Sequence, residues 1–263
     1  MSVRWKLILE YDGTGFVGWS RQRGLRSIQG EVEGVLERLL QHPVQLDVSG
    51  RTDAGVHALG QVAAFTTDKI RSPNKMRIGL NALLPPEIAC VQAIETTGDF
   101  HPRFWSRSKK YRYTWLTRPS RSPLGRNGVW HIYRELDVEA MSRAAAFLVG
   151  EHDFSSFRAQ GCQARHANRI VQDISVNRNN DEVFLDVYGH GFLRHMVRII
   201  AGSLFEVGRG RKDAGWIEEV LQGKDRTKAG RTAPANGLCL MHVEYEDCPP
   251  PWFRADEHHV RTE

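Results

Sequence analysis

One ten-residue stretch, from Ser49 to Ala58, concentrates residue types capable of acid–base or nucleophilic chemistry. It contains Arg51, Asp53 and His57 within seven residues, and glycines lie on both sides of them. A neighbouring Arg favours the ionised form of a carboxylate, which is the form that a nucleophile or general base needs. The same residues also suit a turn in which Asp53 caps backbone N–H groups and Arg51 is solvated. The stretch alone leaves both interpretations open.

Residues 101 to 134 combine many cations with interleaved aromatic rings and contain no Asp or Glu. The basic residues are Arg103, Arg107, Lys109, Lys110, Arg112, Arg118, Arg121, Arg126 and Arg134. Cations that follow a phosphate backbone and rings that stack on bases are typical of single-stranded RNA binding. On a strand, Tyr111, Tyr113 and Trp115 would share one face, so the pattern also fits a strand with one buried and one charged face.

Two further stretches carry weaker signals. The pattern Gly13-x-Gly15-x-x-Gly18 matches the dinucleotide fingerprint, but about nine residues separate it from the next helix, whose N-terminus would have to meet the pyrophosphate. It therefore favours a tight turn whose backbone can approach a ligand closely. Arg194 and Arg198 share one face of an apolar helix, where a partly buried Arg needs an anionic partner or must extend to the surface.

The histidines and cysteines predict no metal site. Cys90, Cys162, Cys239 and Cys248 show no C-x-x-C spacing, and the histidines form no H-E-x-x-H motif. We expect reduced, mostly packed thiols and no structural metal.

The elements that must position these residues follow from hydrophobic periodicity. The first half reads as β-α-β-β-α-β, the order of a ferredoxin-like unit, and the second half repeats that order more loosely. The predicted strands of the first half are 5–10, 44–48, 60–66 and 88–95, and its helices begin near Ser27 and Ser72. The second half has strands at 110–116, 170–177, 183–188 and 238–245, with helices at 137–150, 193–207 and 214–222. We expect an α+β fold with domains at 1–103 and 104–248 and an irregular tail at 249–263.

Composition narrows the class of protein. The 263 residues are 41% hydrophobic and 25% charged, which is ordinary for a globular chain and leaves room for one or two domains. No run of about 18 apolar residues and no signal-peptide pattern is present, so we expect a cytoplasmic protein without membrane spans. The net charge is +5, and 28 of the 36 basic residues are Arg. This balance favours a polyanionic partner.

Together these segments resemble the tRNA pseudouridine synthases of the TruA family over roughly residues 5 to 245. The matching stretches are Tyr11-Asp12-Gly13-Thr14-Gly15-Phe16-Val17-Gly18-Trp19, Ser49 to Ala58, Phe100 to Phe104 with Lys110-Tyr111-Arg112-Tyr113, Gly150-Glu151-His152-Asp153-Phe154, Phe192 to Gly202, and Thr232-Ala233-Pro234-Ala235-Asn236-Gly237-Leu238. The resemblance implies an isomerase that converts uridine to pseudouridine at positions 38, 39 and 40 of the tRNA anticodon stem-loop. It further implies that no cofactor is used, that the protein is a homodimer, and that two ferredoxin-like domains join their antiparallel sheets around a basic cleft.

Residue by residue, the resemblance implies a site. Asp53 matches the family's catalytic aspartate, and Arg51 and Arg198 match active-site arginines, with Arg198 as the expected partner of the carboxylate. Tyr111 matches the tyrosine that stacks on the target base, and Leu240 matches an apolar residue of the pocket. The chain departs from the family at Ser20, where Gln is usual, and at Asn168-Arg169-Ile170, where Arg-Thr-Ile is common. Both departures concern RNA contacts at the rim and leave Asp53 untouched.

The chemistry that Asp53 performs is left open by the sequence. The carboxylate could add to C6 of the uracil, attack C1′ of the ribose or remove a sugar proton. Two other classes of protein compete with the synthase. A non-catalytic RNA-binding protein would have no use for Asp53 beside Arg51, and a nucleotide-dependent oxidoreductase is suggested only by the glycine pattern.

Overall fold

Strands and helices alternate along the chain in the computed structural model, which describes residues 2–69 and 71–246. The chain divides into two units. The first takes in the described parts of Met1–Ala54, Ala58–Arg107 and His242–Glu263, and the second takes in Gly55–His57 and Ser108–Met241. The predicted α+β class is confirmed, with five α-helices among the described residues. The tail predicted at 249–263 lies outside them.

The first unit follows the predicted β-α-β-β-α-β order. Its elements are β1 (Val3–Tyr11), α1 (Ile28–Leu40), β2 (Asp47–Val48), β3 (His57–Thr67), α2 (Pro73–Leu83) and β4 (Ile88–Thr96). Strand β1 lies between β3 and β4 and is antiparallel to both, while β2 pairs antiparallel with β3. Alternate side chains of β1, those of Trp5, Leu7 and Leu9, are fully buried, as a strand with one face in the core requires.

Both helices of this unit begin where the sequence predicts. The Ser27 hydroxyl accepts a hydrogen bond from the Gly30 amide at 3.2 Å, and the Ser72 hydroxyl accepts one from the Lys75 amide at 3.4 Å. Each serine thus satisfies one of the N–H groups that a helix start leaves unpaired. Pro73 occupies the first turn of α2, where its missing N–H costs nothing.

The remaining elements lie in the second unit, apart from residues 106–107 and 242–245, which belong to the first. They are β5 (Ser106–Thr117), β6 (Trp130–Ile132), α3 (Val138–Ala146), β7 (Gly150–Asp153), β8 (Asn168–Asn179), β9 (Glu182–His190), α4 (Met196–Gly208), α5 (Trp216–Gly223) and β10 (Leu238–Tyr245). Strands β5, β9, β8 and β7 pair antiparallel in that order, whereas β6 runs parallel to β5. The sequence does not predict β6 and β7, because three or four residues are too few to show a period.

Two helices of this unit are shorter than predicted. Helix α3 ends at Ala146, and Gly150, with a φ of +109°, already begins β7. Helix α4 begins at Met196 because His195 adopts a left-handed conformation, with a φ of 60°. No helix within residues 2–69 and 71–246 is both long and apolar enough to cross a membrane.

Strand β5 has the two faces that the alternation predicts. Tyr111, Tyr113 and Trp115 are at most 8% exposed. On the other face, both Oδ atoms of Asp186 on β9 accept hydrogen bonds from Arg112, at 2.7 and 2.8 Å, and Asp186 lies 3.2 Å from the Lys110 ammonium. Burial raises the pKa of the Asp186 carboxyl, but these two cations outweigh it and hold the pKa below its usual value. Both cations are therefore already paired within the unit.

Candidate active site

Asp53 lies in the loop that joins β2 to β3. Its side chain is half-buried, whereas that of the neighbouring Arg51 is exposed. The backbone of Asp53 forms an isolated antiparallel bridge with Gly18, so the glycine-rich stretch after β1 lies directly against this loop. The two stretches that the sequence singled out separately thus meet within the first unit.

Gly18 makes this approach possible. Its φ is +103°, and a Cβ at this position would lie 2.6 Å from the carbonyl oxygen of Thr52. The next amide, that of Trp19, donates a hydrogen bond to the same carbonyl oxygen at 3.0 Å. A side chain at position 18 would therefore push the Asp53 loop away. The glycine spacing predicts a tight turn that can approach a ligand, whereas the close approach found here is to the Asp53 loop.

The same geometry argues against a pyrophosphate site at the glycine pattern. The amides of Ile28 and Gln29, at the start of α1, donate to the carbonyl oxygens of Gly18 and Trp19 at 3.1 and 2.9 Å. The N–H groups that would cradle a pyrophosphate are thus used inside the protein.

A buried hydrogen-bond network lies beneath the Asp53 loop. The Tyr11 hydroxyl lies 2.8 Å from the Thr52 hydroxyl, and the Gln61 amide donates to the Tyr11 oxygen at 3.2 Å and to the Gly50 carbonyl at 2.9 Å. The Ser49 hydroxyl donates to Gln61 Oε1 at 2.7 Å. The side chains of this network, which we call the Tyr11 network, come from residues that are at most 7% exposed. Each of these side chains forms a hydrogen bond with another member of the network, and Gln61 also binds the Gly50 carbonyl, so the loop backbone is fixed from below.

Sequence reasoning missed the Tyr11 network. One signal was available, because Gln61 is a long polar residue on β3 that directly precedes the apolar run Val62-Ala63-Ala64-Phe65. A buried glutamine must have hydrogen-bond partners, but its partners lie 11 to 50 residues away in the chain. The pattern therefore predicts that a network exists and does not predict its members.

Arg198 belongs to the second unit and is held by the segment 230–237. Its Nε donates to the carbonyl oxygen of Ala233 at 2.9 Å, and the Ala233 amide donates back to the Arg198 carbonyl at 3.0 Å. A Cβ on Gly202 would overlap the Arg231 carbonyl oxygen, so α4 and this segment are in backbone contact. These contacts set the direction in which the guanidinium leaves the helix.

The remaining predicted site residues are also in the second unit. The ring of Tyr111 is T-shaped against that of Phe192, with centroids 5.1 Å apart, and the residue is 8% exposed. Leu240, on β10, is fully buried. Asp53 and Arg51 are thus placed in one loop of the first unit, while Tyr111, Arg198 and Leu240 belong to the second unit.

The cations of residues 101–134 are not equivalent. Lys109 is 9% exposed, Arg118 pairs with Asp181 at 3.3 Å, and Arg107 pairs with Glu246. Four arginines of this segment are exposed and form no ion pair with a carboxylate of the described residues. They are Arg103, Arg121, Arg126 and Arg134. Residues 2–69 and 71–246 contain no group of three or more His, Cys, Asp or Glu side chains that could hold a metal ion.

Comparison with known proteins gives one consistent result. A family model described as tRNA pseudouridine synthase matches residues 7–104 and 144–246, which leaves 105–143 unmatched. The tRNA pseudouridine synthase A of Myxococcus xanthus is 51% identical over 248 residues, which cover 94% of each chain. Those of Geotalea uraniireducens and Geobacter sulfurreducens are each 49% identical, over 91% of this chain and 98% of their own length.

We predict that Gly18→Ala destabilises the protein far more than Gly15→Ala does. Both glycines have a positive φ, but a Cβ on Gly15 would meet no atom within 4 Å, whereas one on Gly18 would collide with the Thr52 carbonyl. We expect a loss of unfolding free energy of about 1 kcal/mol for Gly15→Ala and at least about 3 kcal/mol for Gly18→Ala. Equal losses in urea denaturation would mean that Gly18 does not set the position of the Asp53 loop.

Proposed function

This chain belongs to the tRNA pseudouridine synthase family, and we propose that Asp53 is the carboxylate that carries out its chemistry. The protein is an isomerase that converts uridine in tRNA to pseudouridine. The role of Asp53 is supported above all by its loop, which the Tyr11 network holds from below and Gly18 holds from the side. A reacting carboxylate needs such support, because small displacements from the reactive geometry are costly in rate.

The reaction suits a single carboxylate. The bond between N1 of uracil and C1′ of ribose breaks, the freed uracil turns, and a new bond forms between C5 and C1′; the proton on C5 is then lost and N1 takes up a proton. Nothing is oxidised and no group leaves, so the residues need to bind the base, exclude water and supply one nucleophile or base. The target nucleotide must leave its stack to reach the carboxylate, which costs a few kcal/mol that contacts with the RNA must offset.

For the substrate, we propose the uridines at positions 38, 39 and 40 of the tRNA anticodon stem-loop. The printed names of the relatives support a tRNA substrate, and the resemblance of the motifs supports these positions. The exposed, unpaired cations Arg121 and Arg126 supply charge for phosphate contacts.

We assign three supporting roles as part of the same proposal. Arg51, two residues from Asp53, and Arg198, whose Nε donates to the Ala233 carbonyl, are the arginines that we assign to the active site with it. Tyr111 stacks on the target base, and Leu240 belongs to the apolar wall behind it. The family match does not cover Tyr111, so this role rests on the resemblance of Lys110-Tyr111-Arg112-Tyr113 alone.

The proposal also covers the oligomeric state, the compartment and the domains of the protein. It includes a homodimer that acts on tRNA in the cytoplasm without a cofactor, and two ferredoxin-like domains, at 1–103 and 104–248, that join their sheets around a basic cleft. Sedimentation at micromolar concentration tests the dimer. A fully active species of only about 30 kDa would contradict it.

We predict that Asp53→Asn abolishes pseudouridine formation while folding and tRNA binding survive. The amide keeps the size of the side chain and removes its charge and nucleophilic oxygens. The measurement is single-turnover pseudouridine formation at saturating enzyme, which separates chemistry from binding.

Asp173→Asn, a matched change at an exposed carboxylate on β8, should react like the unsubstituted protein. Arg198→Lys should fall between the two, because Lys keeps the charge and loses the bidentate fork. Near-normal turnover in Asp53→Asn would contradict the assignment and direct attention to Asp12 and Asp153.

We also predict that the ring of Tyr111 matters more than its hydroxyl. Tyr111→Phe keeps the π-face and should retain tRNA affinity and most of the rate. Tyr111→Leu keeps apolar volume in a buried position but removes the ring, so it should lower affinity about tenfold, within the range of base–aromatic stacking. The unfolding free energy of both variants serves as the control for folding. If Phe and Leu bind tRNA equally, Tyr111 does not stack on the base; if Phe loses turnover, its hydroxyl takes part in proton transfer.

A further inference from the structure

The connection between β5 and β6, which we call the 118–129 loop, presents an unusual surface. Leu124 at its tip is 101% exposed, more than any other large apolar residue in the described part of the chain. Arg121 and Arg126 flank it, and both are exposed. No Asp or Glu occurs between residues 101 and 134. An exposed leucine between two cations, with no nearby carboxylate in the sequence, fits a partner that is both anionic and able to receive an apolar side chain.

The first half of the 118–129 loop is folded by its own hydrogen bonds. The Arg118 guanidinium donates to the carbonyl oxygen of Ser120 at 2.8 Å and to that of Arg121 at 3.4 Å. At the tip, the Gly125 amide donates to the Ser122 hydroxyl at 3.1 Å. These bonds define the path of the chain on both sides of Leu124.

The second half is anchored to other parts of the second unit. The side-chain amide of Asn236 donates to the carbonyl oxygens of Arg126 and Val129, at 3.2 and 2.6 Å. Nε2 of His57 donates to the Asn127 carbonyl at 2.6 Å. His57 follows Asp53 by four residues in the sequence.

We propose that the 118–129 loop is a preformed tRNA-binding element, in which Arg121 and Arg126 contact backbone phosphates and Leu124 packs against a base exposed when the target nucleotide leaves its stack. This inference rests on the proposed function. Apolar side chains such as Leu insert between bases in other nucleic-acid complexes, and a loop already held in shape loses little entropy on binding. The loop lies in the stretch 105–143 that the family match leaves uncovered.

The three other cations of residues 110–129 support the choice of this loop. Lys110 and Arg112 are paired with Asp186, and Arg118 is used inside the loop and beside Asp181. Phosphate contacts from these side chains would first have to break pairs that already exist. Arg121 and Arg126 have no ion pair to break in the described residues.

The charge arm of the test compares two double variants, each in an Asp53→Asn background so that chemistry does not intervene. Arg121→Gln/Arg126→Gln should bind unmodified tRNA more weakly, and the slope of log K against log salt should be shallower by about 1.5, because each phosphate contact adds about 0.7–0.9. The control, Arg38→Gln/Arg143→Gln, removes two exposed helical arginines and should leave the slope unchanged. Equal slopes in the two double variants would overturn the proposal.

The apolar arm compares Leu124→Ser with Ile78→Ser, a matched change at a 53% exposed position on α2. The probe is an anticodon stem-loop with 2-aminopurine beside the target uridine. Leu124→Ser should reduce the fluorescence rise on binding and slow single-turnover pseudouridine formation about fivefold, at the low end of base-stacking contributions. Ile78→Ser should change neither. An unchanged rise and rate in Leu124→Ser would overturn the proposal.

Two further outcomes identify the source of a failure. If Leu124→Ser shifts sedimentation to a smaller species and leaves tRNA affinity unchanged, the loop contacts a second copy of the chain, and the proposal is overturned. If the unsubstituted protein neither binds tRNA nor forms pseudouridine, the proposed function itself has failed, and with it the premise of this inference. The unfolding free energy of each variant is measured as the control for folding. It should equal that of the parent protein, because Leu124, Ile78 and the four substituted arginines are exposed.

Discussion

A contact between two buried hydroxyls, those of Tyr11 and Thr52, is the point on which the site in the first unit depends. Tyr11 is the last residue of β1, and Thr52 precedes Asp53, so this contact joins the central strand directly to the loop that carries the carboxylate. Gln61 on β3 then ties the same phenol to the Gly50 carbonyl. A buried polar group that loses its partner costs about 1–3 kcal/mol. The loss of one hydrogen bond in this network therefore weakens the support of the whole Asp53 loop.

Glycines complete the site by allowing backbone to meet backbone. Gly18 lets the stretch after β1 lie against Thr52, and Gly202 lets α4 lie against the segment that holds Arg198. In both units, main-chain contacts therefore help to place a side chain that the family resemblance identifies, alongside the side-chain hydrogen bonds described above. Main-chain contacts leave little room for movement, which suits a reaction that depends on the position of one carboxylate.

Much of this organisation can be predicted from the sequence, and the limits have physical causes. The serine caps of α1 and α2 and the alternation of β5 depend on neighbouring residues, and they are predicted correctly. Partners that are distant in the chain are not predicted. Asp186 neutralises Arg112 from 74 residues away, so a cation that the sequence assigns to a basic, RNA-binding segment is paired internally. The same applies to Lys109, whose burial the strand pattern does not reveal.

The most direct test of this account is the single-turnover rate of pseudouridine formation in Tyr11→Phe. The substitution removes the hydroxyl that joins Thr52 to Gln61 and keeps the ring, which packs at 6.4 Å from Trp19. If the Tyr11 network positions Asp53, the rate at saturating enzyme should fall at least about tenfold, while tRNA affinity stays within about twofold. A tenfold loss of rate corresponds to about 1.4 kcal/mol, which is about the cost of breaking a buried hydrogen bond. Tyr133→Phe, at a 75% exposed ring, should leave both quantities unchanged. A Tyr11→Phe protein that reacts as fast as the unsubstituted one would show that the network does not position the catalytic carboxylate.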